Sequence, residues 1–303
     1  MEEKKIQMKQ IKVDILVTCY NQKEQIIKTI DSLINQKTTL DYQIIISDDC
    51  STDGSYELLK KYIKNYQNIK LIQPQEKKCV GNNRNNLIEH IDNDYVIFVD
   101  GDDPQPLTFL ETIYQEIKKE EKDIYLLKEF VEIWSDKEVI KEAINYDNFM
   151  FKVYKKEILK NLKVNPDIQI GEDVEFAMRN YQQLMNNYKV INARYYLNRL
   201  DDNISLTKNQ DFLKRFNNEK ILYHLIKEYD GNVKLKQKIN NKRVELIQLA
   251  YLANEKYIPE EKIEFKYLGK KFKLSYLIYK ITLFLNVEIL YKKLLEKKIG
   301  HKI

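Results

Sequence analysis

The sequence predicts an α/β protein: a parallel sheet wound with helices on both sides, followed by a helical C-terminal region. Three observations carry this. Short β-rich runs alternate with amphipathic helical stretches through the first hundred residues. Each run gives way to polar or acidic residues. From Asp211 onward the pattern is helical throughout.

The elements follow in order. VDILVT (Val13–Thr18) is a short β-rich run, after which Ile26, Ile27, Ile30, Leu33 and Ile34 recur at helical spacing. QIIIS (Gln43–Ser47) is a second strand. STDGSYELLKKYIKNY follows, with Ser and Asp as caps and Leu58, Leu59, Tyr62 and Ile63 on one face. NIKLIQ is a third strand, GNNRNNLIEHI a helix entered through Gly81, and YVIFV (Tyr95–Val99) a fourth strand. Sheet twist makes the crossovers right-handed. Further on, DIYLLKEFVEIW reads as one or two strands and holds the single tryptophan, Trp134. NFMFKVYKKEIL reads as strand, turn and helix, with Lys152 and Lys155 better read as solvated surface lysines than as phosphate ligands. A helix is expected from Glu172 to about Tyr188, with Val174, Ala177, Met178 and Tyr181 as its apolar positions.

Composition bounds the function. The chain of 303 residues is 43% hydrophobic and 32% charged, which suits a globular protein with a sizeable core. Cys19, Cys50 and Cys79 are too few and too scattered for a disulfide framework or a zinc site, and a reducing compartment is expected. No stretch of eighteen apolar residues predicts a spanning helix, and the N-terminus has no secretory-signal pattern. His90, His224 and His301 pair with no nucleophile, so histidine-dependent chemistry is not expected. From Lys270 the tail holds nine Lys and two Glu, a net +7 against +5 for the whole chain. Basic residues without interleaved aromatics on a recognisable binding fold argue against nucleic acid as a partner.

In doubly wound sheets a ligand sits beyond the carboxyl ends of the strands. Here strand one ends in Thr18, Cys19, Tyr20 and Asn21, strand two in Asp48 and Asp49, and strand four in Asp100, Gly101, Asp102 and Asp103. Five carboxylates and an aromatic ring thus gather at one edge. Carboxylates this close repel one another and are costly to desolvate, and a divalent cation relieves both. Each piece also has a plain structural reading. Asp-x-Asp is usually a turn or cap, DDCSTDGS suits a loop and an N-cap, and Tyr20 is one of 22 tyrosines. It is their order, spacing and strand-end placement together that point to a site.

ILVTCYNQKEQIIKTIDSLINQ, IIISDDCSTDGS, GNNRNN and YVIFVDGDD resemble the successive motifs of family 2 glycosyltransferases of the GT-A fold, over roughly residues 11 to 110. A weaker likeness runs through GEDVEF (Gly171–Phe176) to YYLNRLDDNISLT (Tyr195–Thr207). The resemblance implies a Rossmann-like mixed sheet flanked by helices. It also implies inverting, non-processive transfer of a sugar from a nucleotide diphosphate donor, with UDP expected, to a hydroxyl of a glycan or lipid-linked acceptor. That activity belongs to surface polysaccharide or glycolipid synthesis. The processive synthases carry a Gln-x-x-Arg-Trp motif and several spanning helices, neither of which is found here.

Residue by residue, the resemblance implies that Thr18 and Tyr20 hold the base, Tyr20 by stacking. Asp49 accepts a hydrogen bond from the base, and Arg84 lies near the base and diphosphate. Asp100 binds ribose or assists the metal, Asp102 binds Mn²⁺ or Mg²⁺, and Asp103 orients the donor sugar. Asp173 is the general base. Placed at a helix N-terminus, its carboxylate is stabilised in the charged form and able to take a proton; first-turn acids favoured by the dipole are the plain alternative. Arg199 and Ser205 are candidates to touch the diphosphate. Three departures stand out. Thr18-Cys19 lacks the proline many relatives have, Cys50 stands where glycine is frequent, and Gly101 replaces the usual serine.

Residues 1–208 are expected to form the catalytic domain, with a nucleotide-sugar half at about 11–110 and an acceptor half at about 111–208. Residues 209–303 form the helical C-terminal region. LSYLIYKITLFLNVEILYKKLLEKK within it either lies on a membrane surface or packs on the catalytic domain with a solvated basic side. The expected compartment is the cytoplasm, at the inner face of the cell membrane if that helix touches lipid. Two other classes remain: a nucleotide-sugar-binding partner subunit without catalysis, and a nucleotidyltransferase. The last lacks support because VTCYNQKEQ has no glycine-rich triphosphate loop.

Overall fold

The structure, a computed structural model, describes residues 11–77, 79–143, 149–168 and 171–199 and short pieces between 241 and 279. Four parallel strands form one side of the sheet, in the order β3 (Ile69–Ile72), β2 (Asp41–Asp48), β1 (Lys12–Cys19), β4 (Tyr95–Asp100). Between them run α1 (Ile26–Ile34), α2 (Ser55–Tyr62) and α3 (Val80–Glu89). Parallel strands covered on both faces need apolar residues at successive positions. Accordingly Ile15, Leu16 and Val17 of β1, Ile44, Ile45 and Ile46 of β2, and Val96, Ile97 and Val99 of β4 have no exposed surface.

Asp14 interrupts this run and is itself fully buried. Its carboxylate accepts the backbone N–H groups of Asp92 and Asn93 at 2.7 and 2.8 Å and the Asn93 amide at 2.7 Å. The charge is therefore spent on fixing the turn that feeds β4.

Beyond β4 the sheet changes direction. After α4 (Phe109–Lys119) come β5 (Ile124–Ile133), β6 (Glu138–Glu142) and β7 (Lys152–Lys155), followed by α5 (Lys156–Lys160). β7 lies antiparallel between β4 and β5, β6 extends antiparallel from β5, and β8 (Tyr188–Asn198) pairs parallel with β5. DIYLLKEFVEIW thus belongs to one long strand, β5. The expected solvated Lys152 is instead 2% exposed. Its strand lies inside the sheet, with Leu126 as its Cα partner on β5, a placement that no local run of residues records.

Two helices differ from the expected pattern. α2 ends at Tyr62, so Ile63 lies beyond it; Ser55 and Leu59 are buried, and Leu58 and Tyr62 are half-buried. The helix expected to reach Tyr188 stops early. α6 (Glu172–Arg179) ends before Asn180, whose ψ of 15° leaves the helical range; a single turn, α7 (Tyr181–Leu184), intervenes before β8 begins at Tyr188.

The chain divides into two compact units, Met1–Asp167 with Asn180–Asp202 and Ile168–Arg179 with Asn203–Ile303. The first holds the sheet. In the second, α6 follows Gly171 at φ 85°, and its fully buried Glu175 carboxylate pairs with Arg179 through Nε at 2.5 Å and Nη2 at 3.1 Å. Among the described residues no helix is long and apolar enough to cross a membrane. The C-terminal helix expected to touch lipid, together with Ser205, His224 and His301, lies outside the described residues.

Candidate active site at the strand ends

The carboxyl ends of β1 and β4 are bonded side by side. Thr18 pairs in register with Asp100, and its hydroxyl donates to Asp100 Oδ1 at 2.8 Å. The Gly101 N–H donates to the Thr18 carbonyl at 2.9 Å, which starts the acidic turn. On the other flank β2 delivers Asp49, 4% exposed, whose N–H donates to the Cys19 carbonyl at 2.8 Å. From α3 the buried Arg84 reaches Asp100 Oδ1 at 3.6 Å, with its guanidinium over the Phe149 ring at 5.0 Å. Thr18, Asp49, Arg84, Asp100, Asp102 and Asp103 are therefore all carried by the first unit at one end of the sheet. Tyr20 follows directly on β1, with its ring 39% exposed. Asp173 belongs to the second unit, in the first turn of α6, where its carboxylate accepts the Val174 N–H at 2.8 Å.

The acids do not share one cation position. Among the described residues no three acids, histidines or cysteines converge as a metal cluster. Each acid of the turn has its own protein partners instead. Asp100 has Thr18 and Arg84. Asp102 Oδ1 accepts the Gln22 amide at 3.1 Å. Asp103 accepts the Tyr195 hydroxyl at 3.0 Å and the Asn198 N–H at 2.7 Å, and it is 3% exposed. The expected relief of crowding by a cation thus narrows to Asp102. Burial and then the Asp100 charge push its carboxyl up to about 6, against weaker opposing pulls from Arg199 and Gln22. Its side-chain partner among the described residues is the Gln22 amide on Oδ1. The carboxylate fits a Mg²⁺ or Mn²⁺ site built from one carboxylate, with phosphate oxygens and water completing the shell.

Burial, followed by Asp102 and Asp100, raises the Asp103 carboxyl well above its ordinary value. Burial and Asp103 likewise raise the Tyr195 phenol, so the proton stays on Tyr195 and the hydroxyl is the donor. Burial and the nearby Asp48 raise the Cys19 thiol, which removes it as a nucleophile.

The departures from the family pattern acquire physical reasons. Cys50 has φ 58°, in the left-handed region that glycine adopts freely, so the side chain costs about 1 kcal/mol there. It is half-buried, with its thiol 3.5 Å from the Pro74 carbonyl. A Cβ added at Gly101 would lie 2.3 Å from Gln22 Oε1 and 2.6 Å from the Thr18 carbonyl oxygen. The Gln22 tip can swing away, but the backbone carbonyl cannot. Gly101→Ala is therefore expected to lower stability by about 1–3 kcal/mol, read as an earlier thermal midpoint.

Sequence reasoning missed Gln22, Lys77, Tyr195 and Asn198. Lys77 Nζ sits 3.7 Å over the Tyr20 ring, a contact weak enough at an exposed site to be exchanged for a stacked base. The glycine at 101 was a signal for the close approach of Gln22. Nothing local marks Tyr195, which is one of many tyrosines in strand-like runs. Of the remaining candidates, Arg199 Nη2 lies 3.5 Å from Glu132, and the Arg199 charge acts on Asp102. Lys155 pairs with Glu121 at 2.5 Å. His90 caps α3 with Nδ1 2.8 Å from the Asn86 carbonyl.

Comparison with known proteins bears on the family and the fold. The glycosyl transferase family 2 model matches residues 14–179, from β1 through α6. The chain is similar to a poly(ribitol-phosphate) beta-glucosyltransferase of Bacillus spizizenii, 31% identical over 187 residues covering 56% of this chain and 30% of the relative. It is also similar to a cholesterol galactosyltransferase of Borreliella burgdorferi, 30% identical over 151 residues covering 50% of this chain and 41% of the relative. The matched part spans less than half the length of either. In structure it is similar to residues 1–349 of Staphylococcus aureus TarS, with TM-score 0.64 and 17% identity over 96% of this chain and 92% of that one. The fold is thus the GT-A fold, a mixed sheet with flanking helices. The chain belongs to glycosyl transferase family 2.

Proposed function

We propose that the protein transfers a sugar, with inversion and one residue at a time, from a nucleoside diphosphate donor to a hydroxyl of a glycan or lipid-linked acceptor in surface polysaccharide or glycolipid synthesis. UDP is the proposed nucleotide. The observation that carries the reading is the bonded set Thr18–Asp100–Arg84 beside Asp102, whose carboxyl burial raises, at the end of the sheet where such folds bind nucleotides. The same fold in TarS was solved with UDP-GlcNAc, and in the mannosyltransferase PcManGT of Pyrobaculum calidifontis with GDP-Man and Mn²⁺.

In this reading Tyr20 offers its exposed face to the base and Asp49 receives a base N–H. Arg84 neutralises charge next to the diphosphate, and Asp100 is held by Thr18 to receive ribose or support the metal ligand. Asp102 holds the cation, which when bound supplies Lewis-acid stabilisation of the departing diphosphate. Asp173 takes the acceptor hydroxyl's proton as that oxygen attacks the anomeric carbon. The acceptor half, about 111–208, supplies acceptor recognition.

The test is a panel of UDP- and GDP-sugars with Mn²⁺, glycan and lipid-linked acceptors, and measured nucleoside diphosphate release. Acceptor-dependent release with inverted product supports the reading. Absence of transfer from every donor–acceptor pair removes it.

A further inference from the structure

The acidic turn is bolted to a strand ninety-five residues further along the chain. The Tyr195 hydroxyl accepts the Asp100 N–H at 3.0 Å and donates to Asp103 Oδ2 at 3.0 Å. Asp103 Oδ1 accepts the Asn198 N–H at 2.7 Å. Two residues on, the Gln105 amide donates to the Tyr196 carbonyl at 3.0 Å and accepts the Tyr196 N–H at 3.1 Å. Side chains of the turn thus give β8 the hydrogen bonds that a neighbouring strand would give. The Tyr195 ring is fully buried and is met edge-on by Phe109 at 6.2 Å and Phe151 at 5.7 Å, so its hydroxyl has little freedom to move.

We propose that Tyr195 is a positioning residue for the donor site, holding the Asp100–Asp103 turn in place, and that Asp103 acts through this latch rather than on the donor sugar. The inference rests on the assignment of the turn to the donor diphosphate. A sugar contact needs a carboxylate oxygen facing the cleft; Asp103 is buried and both its oxygens are bonded to β8. One hydroxyl meanwhile satisfies both the first and the last acid of the turn. Its loss leaves the Asp100 N–H and Asp103 Oδ2 unpaired together, and the segment between them carries Asp102.

The experiment compares Tyr195→Phe with a matched control, Tyr95→Phe. Tyr95 opens the same strand, β4, is 3% exposed, and its hydroxyl donates to the Lys122 carbonyl at 3.1 Å. Thermal midpoints are measured on the full chain, and the Kd of UDP and of GDP with Mn²⁺ by calorimetry. Both variants are expected to lose thermal stability. Only Tyr195→Phe is expected to weaken the nucleotide that binds, by about tenfold. Asp103→Asn added to Tyr195→Phe is expected to cost little more, because the two act as one unit. Wild-type affinity in Tyr195→Phe, or an equal loss in Tyr95→Phe, overturns the positioning role. Additive losses overturn the role given to Asp103. If Tyr195→Phe does not fold, Gln105→Ala opens the same latch without touching the buried ring; unchanged affinity there overturns the proposal. Wild-type protein that binds neither nucleotide overturns the site assignment and the latch with it. Wild-type binding that Asp102→Ala abolishes while Tyr195→Phe keeps it overturns the latch alone.

Discussion

Asp102→Ala is expected to abolish Mn²⁺-dependent nucleotide binding and to reduce sugar transfer on the order of 10³-fold. The size of the effect follows from the single-ligand character of the site. Asp103 has both oxygens bonded to Tyr195 and Asn198, and Asp100 Oδ1 is engaged by Thr18 and Arg84, which leaves Asp102 as the acid with the fewest protein partners in the turn. The substitution also removes a carboxylate that burial and Asp100 hold up to about 6, so the protein without metal is expected to be no less stable than wild type. The sign is firm. A carboxyl raised above its unfolded value opposes folding once it ionises, and its removal takes that opposition away at neutral pH. Binding of Mn²⁺ with UDP or GDP by calorimetry, alongside thermal midpoints with and without Mn²⁺, separates the two effects. Metal-dependent affinity that survives in the variant would show that the cation is held elsewhere.

Asp173→Asn is expected to lower kcat by about 10²–10⁴-fold while donor affinity stays at its wild-type value. The amide keeps the size of the side chain and can still accept the Val174 N–H that now meets the carboxylate. What it cannot do is take a proton from the acceptor hydroxyl. A base acts on kcat and a donor ligand on nucleotide Kd, so the two roles separate in kinetics. Steady-state kcat and nucleotide Kd, measured on the same preparation, decide the matter. Equal loss of both would assign Asp173 to donor binding or to folding.

The first half of the fold was legible because local chemistry and tertiary environment agree there. Strands buried on both faces demand unbroken apolar runs, and the runs at Val13–Thr18, Gln43–Ser47 and Tyr95–Val99 each lie within an observed strand. The acids after those runs were legible for the same reason: a parallel sheet brings successive strand ends to one edge. The second half was less so. α6 stops at Arg179 because Asn180 leaves the helical range, although the apolar spacing continues to Tyr181. Lys152 is buried because β7 inserts between β4 and β5, which no window around residue 152 records.

By itself the sequence determined the alternation of strand and helix, the collection of Thr18, Tyr20, Asp49, Asp100 and Asp102 at the strand ends, and the family. Tertiary structure alone decided which protein groups each acid is bonded to. Whether neighbouring carboxylates share a cation depends on which protein donors reach each one. Those donors, Gln22, Arg84, Tyr195 and Asn198, come from segments sixteen to ninety-five residues away. Hydrogen bonds act over about 3 Å of space whatever the separation along the chain, so their pattern is written in the fold and not in any local run of residues.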